Sequence, residues 1–512
     1  MPNGKTVNLK LQPGEYWWGG AINSLYHQPY STGSAENLVD LRGNSAMPLL
    51  LSNKGRYVWS EEPFEFSLTT EQLIVSSLAP DGEFEIGEGL GTLRDVYRTV
   101  SQKHFPPSGS IPDPLFFTHP QYNTWIEMTY FSSQERVLEY ATDILKHGFP
   151  PGVLMIDTLW HPTYGNWVFD AGRYPDPKGM VHQLHEMGFK VMLWMIPYIT
   201  PDTLTFRELR DKGFLFTRAN DEPAIISWWD GYSAALDLTK PDSVAWLNEK
   251  LDYLVNELGV DGFKFDGGQP GNYAEAGIPN AHAITLAWNR IGLRYPLSEF
   301  KDSWKSAGWP LAQRIRDRNH SWSQADEGLG SLIPMGLTQG LLGYTFNCPD
   351  MVGGGEYTNF PAGGGGNFDA ELFVRCAQAS ALFPMMQFSA APWRLLDAEH
   401  LDYCRATAQL HTRLGDEILA LAKESADSGE PIMRHMAYEF PDSGYEQITD
   451  QFMLGSNLLV APVLEKGASS RLVEFPPGEW LGDDGSRVNG PRQLVIVAPL
   501  SRLPWYRKIS RG

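Results

Sequence analysis

Cysteine is scarce in this chain of 512 residues: only Cys348, Cys376 and Cys404 occur. Three scattered thiols do not build a disulfide framework, and none falls in a CxxC pair or at zinc spacing with histidine. Neither a metal centre nor a cofactor is expected. Long apolar runs are missing as well, so no bilayer span is expected. Met1-Pro2-Asn3-Gly4-Lys5 opens without the apolar core of a signal peptide. A surplus of basic residues is absent too. Lys and Arg number 41 against 61 Asp and Glu, a formal charge of -20. That argues against nucleic acid or an anionic membrane as partner, since both need basic surface. The expectation is a cytoplasmic protein acting on a neutral partner, with self-association into a homo-oligomer left open.

What is present has three textures. Residues 1–110 read as a β-sandwich: short strands such as Val7–Leu11, Tyr57–Trp59 and Phe64–Leu68 alternate with Gly, Pro and Asn turns. Within them Tyr16-Trp17-Trp18-Gly19-Gly20 reads as a core strand ending in a turn, or as a loop that presents an aromatic ring. Residues 111–425 alternate strands with helices, the pattern of βα units. Leu115-Phe116-Phe117-Thr118 is a candidate first strand. Ser133 and Asp242 are candidate helix caps. Val153–Asp157 and Val191–Met195 are apolar strands. Gly363–Gly366 is a glycine run that reads as a loop. Residues 426–512 return to strands, with Leu458–Val463 and Gln493–Val497 the clearest, and read as a second β-sandwich.

One stretch organises the middle region: Gly259-Val260-Asp261-Gly262-Phe263-Lys264-Phe265-Asp266-Gly267-Gly268-Gln269. Gly259 closes a helical pattern. Phe263 and Phe265 alternate with Lys264 and Asp266 at the period of a strand, and two glycines then break it. Lys264 and Asp266 share a face, so the cation helps keep the carboxylate ionised. Acids closing two strands, Asp157 and Asp266, favour a (β/α)8 TIM barrel over a doubly wound sheet, because barrel enzymes place their chemistry at strand C-termini.

Glycoside hydrolysis with retention needs a second carboxyl beside the first. Asp317, Asp326 and Glu327 in Arg314–Glu327 all qualify by chemistry, and spacing to Asp266 does not choose among them. Three arginines surround Asp317. If that segment is a strand, Arg314, Arg316 and Arg318 face away from it.

These motifs, in this order, resemble glycoside hydrolase family 31. Val153–Trp160, Phe169–Pro177, Trp194–Pro197, Phe263–Asp266 and Gly343–Gly354 each resemble a segment of that family. The resemblance implies a barrel flanked by two β-sandwiches and a retaining exo-α-glycosidase acting on a small-molecule or oligosaccharide substrate. It implies Asp266 as nucleophile, with Lys264 beside it. The family's acid/base Asp precedes a Trp by five positions, as Asp317 precedes Trp322, so Asp317 is preferred to Asp326. Its pKa should then be raised. Asp157 would accept sugar hydroxyls, Arg314 would reach the sugar or pair with an acid, and Trp160, Trp194 and Trp322 would wall the pocket. His320 reads as a structural neighbour. Trp17-Trp18-Gly19-Gly20 resembles a loop sent into the cleft, which makes Trp18 a contact. Met386–Arg394, with Ser389 where many members carry His, resembles the α-galactosidase branch, and Lys301 stands where many carry Arg. An α-glucosidase, an α-transglycosylase and a non-catalytic sugar-binding protein are the alternatives.

Overall fold

The computed structural model describes residues 5–22, 28–39, 45–79, 81–218, 220–360 and 368–509. The Gly363–Gly366 run lies outside them.

The N-terminal region packs two antiparallel sheets face to face. One contains Thr6–Lys10, Gln72–Ser77, Phe64–Leu68 and Ala35–Asn37; the other centres on Ser45–Ser52, flanked by Trp17–Ala21 and Tyr57–Trp59. Between them lie Trp17, Leu50, Val58, Phe66 and Val75. The strand alternation turns Trp18 the other way, into a second cluster with Met47, Leu49 and Tyr97. Tyr97 belongs to a helix, Leu93–His104, that the reading of this region as strands alone did not foresee. Thr92 and Asp95 start it as a reciprocal capping box. Gly19 is required where it stands: a Cβ there would sit 2.2 Å from the Leu49 carbonyl oxygen.

The middle region is the expected barrel. Its strands, in chain order, are β1 (Gln121–Asn123), β2 (Val153–Ile156), β3 (Lys190–Met195), β4 (Gly262–Phe265), β5 (Leu297–Phe300), β6 (Ala312–Arg314), β7 (Asn347–Cys348) and β8 (Gln387–Phe388). Each pairs in parallel with its neighbour, and β8 returns to β1. A parallel bridge between Met351, just beyond β7, and Gln387 of β8 spans the remaining gap, so the barrel is nearly closed. Trp194, Lys264 and Glu299 stand level on β3, β4 and β5 and form one layer of side chains.

Two local expectations are corrected. Leu115–Thr118 is a short helix; the first barrel strand follows it, after Pro120. Asp242 is not the cap of its helix. Pro241–Leu258 starts one residue earlier, and Asp242 lies in the first turn, where a carboxylate suits the helix dipole. Ser133 does cap Gln134–Lys146, and Gly259 closes Pro241–Leu258 in the left-handed region at φ 82°.

Two excursions from the barrel shape the site. After β3 the chain forms a three-stranded antiparallel sheet, Tyr198–Ile199, Ile225–Trp228 and Gly231–Ala235. After β5, Ser303–Trp304 adds in parallel to Ser45–Ala46 of the N-terminal sheet, which anchors the end of β5 to that domain. At the other end, helix Ala398–Ser428 leads into a six-stranded antiparallel sheet that holds Leu458–Val460 and Arg487–Val497. Its core includes Met453, Val473, Phe475, Trp480 and Tyr506.

Candidate active site

At the C-terminal ends of the barrel strands lies a cleft of about 370 Å³, within the size range of a small-molecule site. Asp157, Trp194, Lys264, Asp266, Arg314 and Asp317 all line it. Three charged residues occupy the position directly after a strand: Asp157 after β2, Asp266 after β4 and Lys301 after β5. Lys301 also lines the cleft. The family resemblance places it where many members carry Arg but gives it no role here, although the strand pattern of Leu297–Phe300 carries the same signal that exposed Asp266.

Asp266 is held from several sides. The Trp194 indole N–H donates to one carboxylate oxygen at 3.0 Å, and the Gly267 N–H donates to the other at 2.8 Å. Its backbone N–H donates to the Met195 carbonyl at 2.8 Å, extending the β3–β4 ladder by one residue. Gly268, at φ 77°, turns the chain away beneath Trp288, where a Cβ would approach the indole to 2.6 Å. Lys264 donates to Asp157 at 2.7 Å, so its direct partner is Asp157. Asp157 is itself oriented by the Thr158 N–H, at 2.8 Å.

Lys301 links the two halves. Its ammonium lies 2.6 Å from Asp317 Oδ2 and 3.8 Å from Asp266 Oδ1. Arg314 donates to the other Asp317 oxygen at 2.8 Å. The expectation that the arginines face away from Asp317 fails for Arg314, whereas Arg316 pairs with Glu327 and the Arg318 guanidinium donates to the Pro349 and Met351 carbonyls. The strand stops at Arg314, the period of two ends with it, and the next turn brings Asp317 back over the guanidinium. Behind Arg314 stand two fully buried acids: Asp350, which also accepts a hydrogen bond, and Glu299, 3.4 Å from its Nε. Asp350 adopts φ 67°, and its second oxygen accepts the Arg318 backbone N–H at 3.0 Å.

These partners set the ionisation. Burial pushes the Asp266 carboxyl up, but Lys301, Lys264 and Arg314 outweigh it and hold it below the usual range. The Asp317 side chain is half exposed, so the upward push of partial burial is weaker there, and Lys301 and Arg314 hold the carboxyl far below the usual range. The expected upward shift is therefore reversed. Glu299 and Asp350 lie above their ordinary values, because burial exceeds what Arg314 restores.

Three expected contacts are elsewhere. Trp160 is fully buried behind β3, where its indole N–H donates to the Trp194 carbonyl at 2.9 Å. It therefore supports the wall without facing the cleft. Trp322 donates to Asp369 at 3.0 Å, outside the described lining. Trp18 is a core residue of the N-terminal region, as strand alternation requires. Asp326 accepts from the Ser321 hydroxyl at 2.8 Å and is not among the described lining residues. His320 bridges the Gly353 carbonyl and the Asp369 N–H, each at 2.9 Å, which leaves both ring nitrogens engaged. Ser389 is buried and accepts from the Ile126 N–H at 2.9 Å, while Gln387 reaches Glu299 at 2.9 Å inside the barrel. Among the described residues, no group of His, Cys, Asp and Glu is arranged to hold a metal ion. No helix among them is long and apolar enough to cross a membrane.

Fold and cleft together define a (β/α)8-barrel protein, flanked by antiparallel sheets, whose strand ends gather carboxylates and their cations. Comparison with known proteins narrows this. Residues 117–295 match the glycosyl hydrolases family 31 TIM-barrel domain, and residues 429–509 match the glycosyl hydrolase family 31 C-terminal domain. The chain belongs to glycoside hydrolase family 31. It is 33% identical over 435 residues to the mouse myogenesis-regulating glycosidase, covering 82% of this chain and 60% of that protein. It is 28% identical over 506 residues to the α-xylosidase XylQ of Lactiplantibacillus pentosus, covering 92% and 63%. The chain thus spans about three fifths of the length of these relatives. In structure it resembles a Flavobacterium johnsoniae GH31 dextranase, with a TM-score of 0.84 at 20% identity over 98% of this chain and 66% of that one. A soil-metagenome GH31 α-xylosidase gives a TM-score of 0.83 at 21% identity, covering 99% and 80%.

Proposed function

We propose that this protein is a retaining exo-α-glycosidase, with Asp266 as nucleophile and Asp317 as acid/base. The observation that carries the reading is Lys301. One ammonium lies 2.6 Å from an Asp317 oxygen and 3.8 Å from an Asp266 oxygen, which puts both carboxyls within reach of a single side chain and supports the roughly 5–5.5 Å spacing of a retaining pair over the wider spacing of an inverting one. A pair at that spacing leaves no room for a water between the second carboxylate and the sugar, and suits direct attack by that carboxylate.

In this reading Asp266, ionised and held by Trp194 and Gly267, attacks the anomeric carbon. The glycosyl ester forms as the bond to the leaving oxygen breaks, and Asp317 gives that oxygen its proton. Water then attacks the ester, Asp317 takes the water's proton, and the sugar leaves with retained configuration. The cations beside Asp317 favour its ionised form. That form is ready for the second step, whereas the protonated form that the first step needs is scarce, so activity should be greatest at acidic pH. The Asp157–Lys264 pair offers an acceptor and donors for neighbouring sugar hydroxyls. In proton NMR of the first-formed sugar, the α-anomer is expected; the β-anomer appearing first would overturn the mechanism.

The sugar itself is proposed to be α-galactose. Gln269, from the turn after Asp266, and Lys301 bring polar groups to the cleft beside the nucleophile. Such groups can discriminate an axial from an equatorial C4 hydroxyl, because the wrong epimer leaves them unpaired. The Gln387–Ser389 segment makes its bonds behind the cleft and lends this choice no direct contact. The kcat/KM ratio for 4-nitrophenyl α-galactoside over α-glucoside is expected to exceed one. A preference for glucose would overturn the sugar and leave the chemistry standing; no turnover of any α-glycoside would favour a sugar-binding protein.

A further inference from the structure

Asp317 stands in a stretch, residues 315–328, that belongs to no helix and no strand. No ladder fixes such backbone, so its place depends on the individual bonds it makes. Lys301 and Arg314 grip the Asp317 carboxylate, and a separate set of contacts grips the chain that carries it. The turn at residues 353–355, after β7, closes on Arg318. There the Gly355 N–H donates to the Arg318 carbonyl at 3.0 Å, and a Cβ on Gly354 would lie 2.4 Å from that oxygen. Two residues on, the His320 ring lies flat on Phe368, with centroids 5.4 Å apart and planes at 4°. A carbonyl only accepts and a backbone N–H only donates. The His320 bonds to Gly353 and Asp369 therefore fix the neutral tautomer with its proton on Nδ1. Burial pushes the imidazole below its ordinary value, which favours that form.

These contacts converge on Asp369. Its backbone N–H meets His320, and its Oδ1 caps its own helix, Ala370–Ser380, by accepting the Leu372 N–H at 3.2 Å. A cap needs only one acceptor, so Oδ2 is left to serve other elements. It accepts the Trp322 indole N–H at 3.0 Å and the Lys466 ammonium at 2.7 Å. Lys466 comes from the C-terminal region, between the strands Leu458–Val460 and Ser470–Gly482. Beside it the Gly467 N–H donates to Glu371 at 2.8 Å. Burial pushes the Asp369 carboxyl up, but Lys466, Trp322 and the Leu372 N–H outweigh it and hold it below the usual range. One ionised carboxylate thus ties together the loop after β6, the helix after β7 and the C-terminal sheet.

We propose that Asp369 is a positioning residue for the acid/base, holding the loop of Asp317 in register with the leaving oxygen through its bond to Trp322. The proposal rests on the glycosidase reading above, with Asp317 as proton donor. Neither Asp369 nor Trp322 is among the described residues that line the cleft, so both act through the loop. Proton transfer needs the donor within hydrogen-bond reach of the leaving oxygen, and a small displacement of the carboxyl is costly.

The test is Asp369→Ser and Trp322→Phe, singly and together. Serine still caps a helix but is too short to reach the indole. Phenylalanine keeps a ring and loses the N–H. Turnover is compared for 4-nitrophenyl, phenyl and methyl α-glycosides, in the galactosyl and glucosyl series, with Asp317→Asn in parallel. On the methyl glycoside kcat/KM should fall about tenfold or more in each single variant, with little change on the 4-nitrophenyl glycoside, which needs little protonation. The double variant should lose no more than the larger single loss, because both substitutions break one bond. Equal losses across the leaving groups would overturn the proposal, since a merely structural residue acts on every substrate alike. Losses that multiply in the double variant would overturn it too. If Asp369→Ser does not fold, Trp322→Phe alone carries the leaving-group comparison. If Asp317→Asn shows the leaving-group dependence and these variants do not, the positioning role falls while the glycosidase reading stands. If the parent turns over no glycoside of either series, that reading falls, and this proposal with it.

Discussion

The floor of the cleft and its rim are built on opposite principles. On the floor the side chains of Asp157, Lys264, Asp266, Lys301, Arg314 and Asp350 are at most 12% exposed, and each lies within reach of an opposite charge. On the rim, Trp229 and Tyr357 are more than a third exposed and meet Trp125 through ring edges. Charges out of water act strongly and must be matched, so the floor is a network in which each member depends on the rest. Aromatic contacts are individually modest and tolerate change, so the rim can vary while the floor persists. Changes at the floor should reach kcat, pH dependence and stability together. Changes at the rim should reach substrate choice and little else.

The sharpest contrast is Asp266→Asn. Turnover should fall about 10⁴-fold or more for every leaving group, because the amide is a poor nucleophile. Steady-state rates on an activated and an unactivated α-glycoside check this, and a variant that retained a tenth of its activity would break the assignment of the floor.

Next is Arg314→Met. It strands Asp350 and Glu299 in the barrel without their cation, and the expected loss of stability is about 3–5 kcal/mol. Trp229→Ala, at a half-exposed hairpin tip, should stay within about 0.5 kcal/mol of the parent. Urea unfolding of the two variants side by side measures the difference; similar midpoints would erase the distinction between floor and rim.

Asp317→Asn comes third. It should cost about 10²–10⁴-fold on poor leaving groups and much less on activated aryl ones, which need little protonation. Asp326→Asn should do neither, since its carboxylate is engaged by Ser321. If the leaving-group dependence followed Asp326, the acid/base would have been misplaced.

The smallest effect is on pH. Removing the Lys301 ammonium withdraws a cation 2.6 Å from Asp317 and 3.8 Å from Asp266. A carboxyl that loses a cation holds its proton to higher pH, and Arg314 still faces Asp317 while Lys264 still acts on Asp266. In Lys301→Met the alkaline limb of kcat/KM, which reports Asp317, should therefore move up by about one pH unit. The acid limb, which reports Asp266, should move up by less. An unchanged profile would show that Lys301 does not control the pair.

The barrel, its flanking sheets and the strand carrying Asp266 were legible in the chain itself, because periodicity and glycine breaks are local properties. Asp157 and Asp266 stood out by the same rule, as charges closing apolar strands. The five-residue step from Asp317 to Trp322 preferred the acid that the structure brings into the cleft, though Trp322 itself bonds Asp369 outside the described lining. What only tertiary structure decided lies where strands end and loops meet. The period of two stops at Arg314, so whether its guanidinium turned from Asp317 or toward it depended on the path of the next three residues. Lys301 met both carboxylates because the loop after β5 is anchored to the N-terminal sheet through Ser303–Trp304. The rim of Trp125, Trp229 and Tyr357 joins positions more than a hundred residues apart, and no local pattern links them. Trp18 and Trp160 were misread for the complementary reason. An aromatic residue near a motif is equally suited to wall a pocket or to brace it from behind, and only the packing of neighbouring strands decides which face of the ring meets solvent.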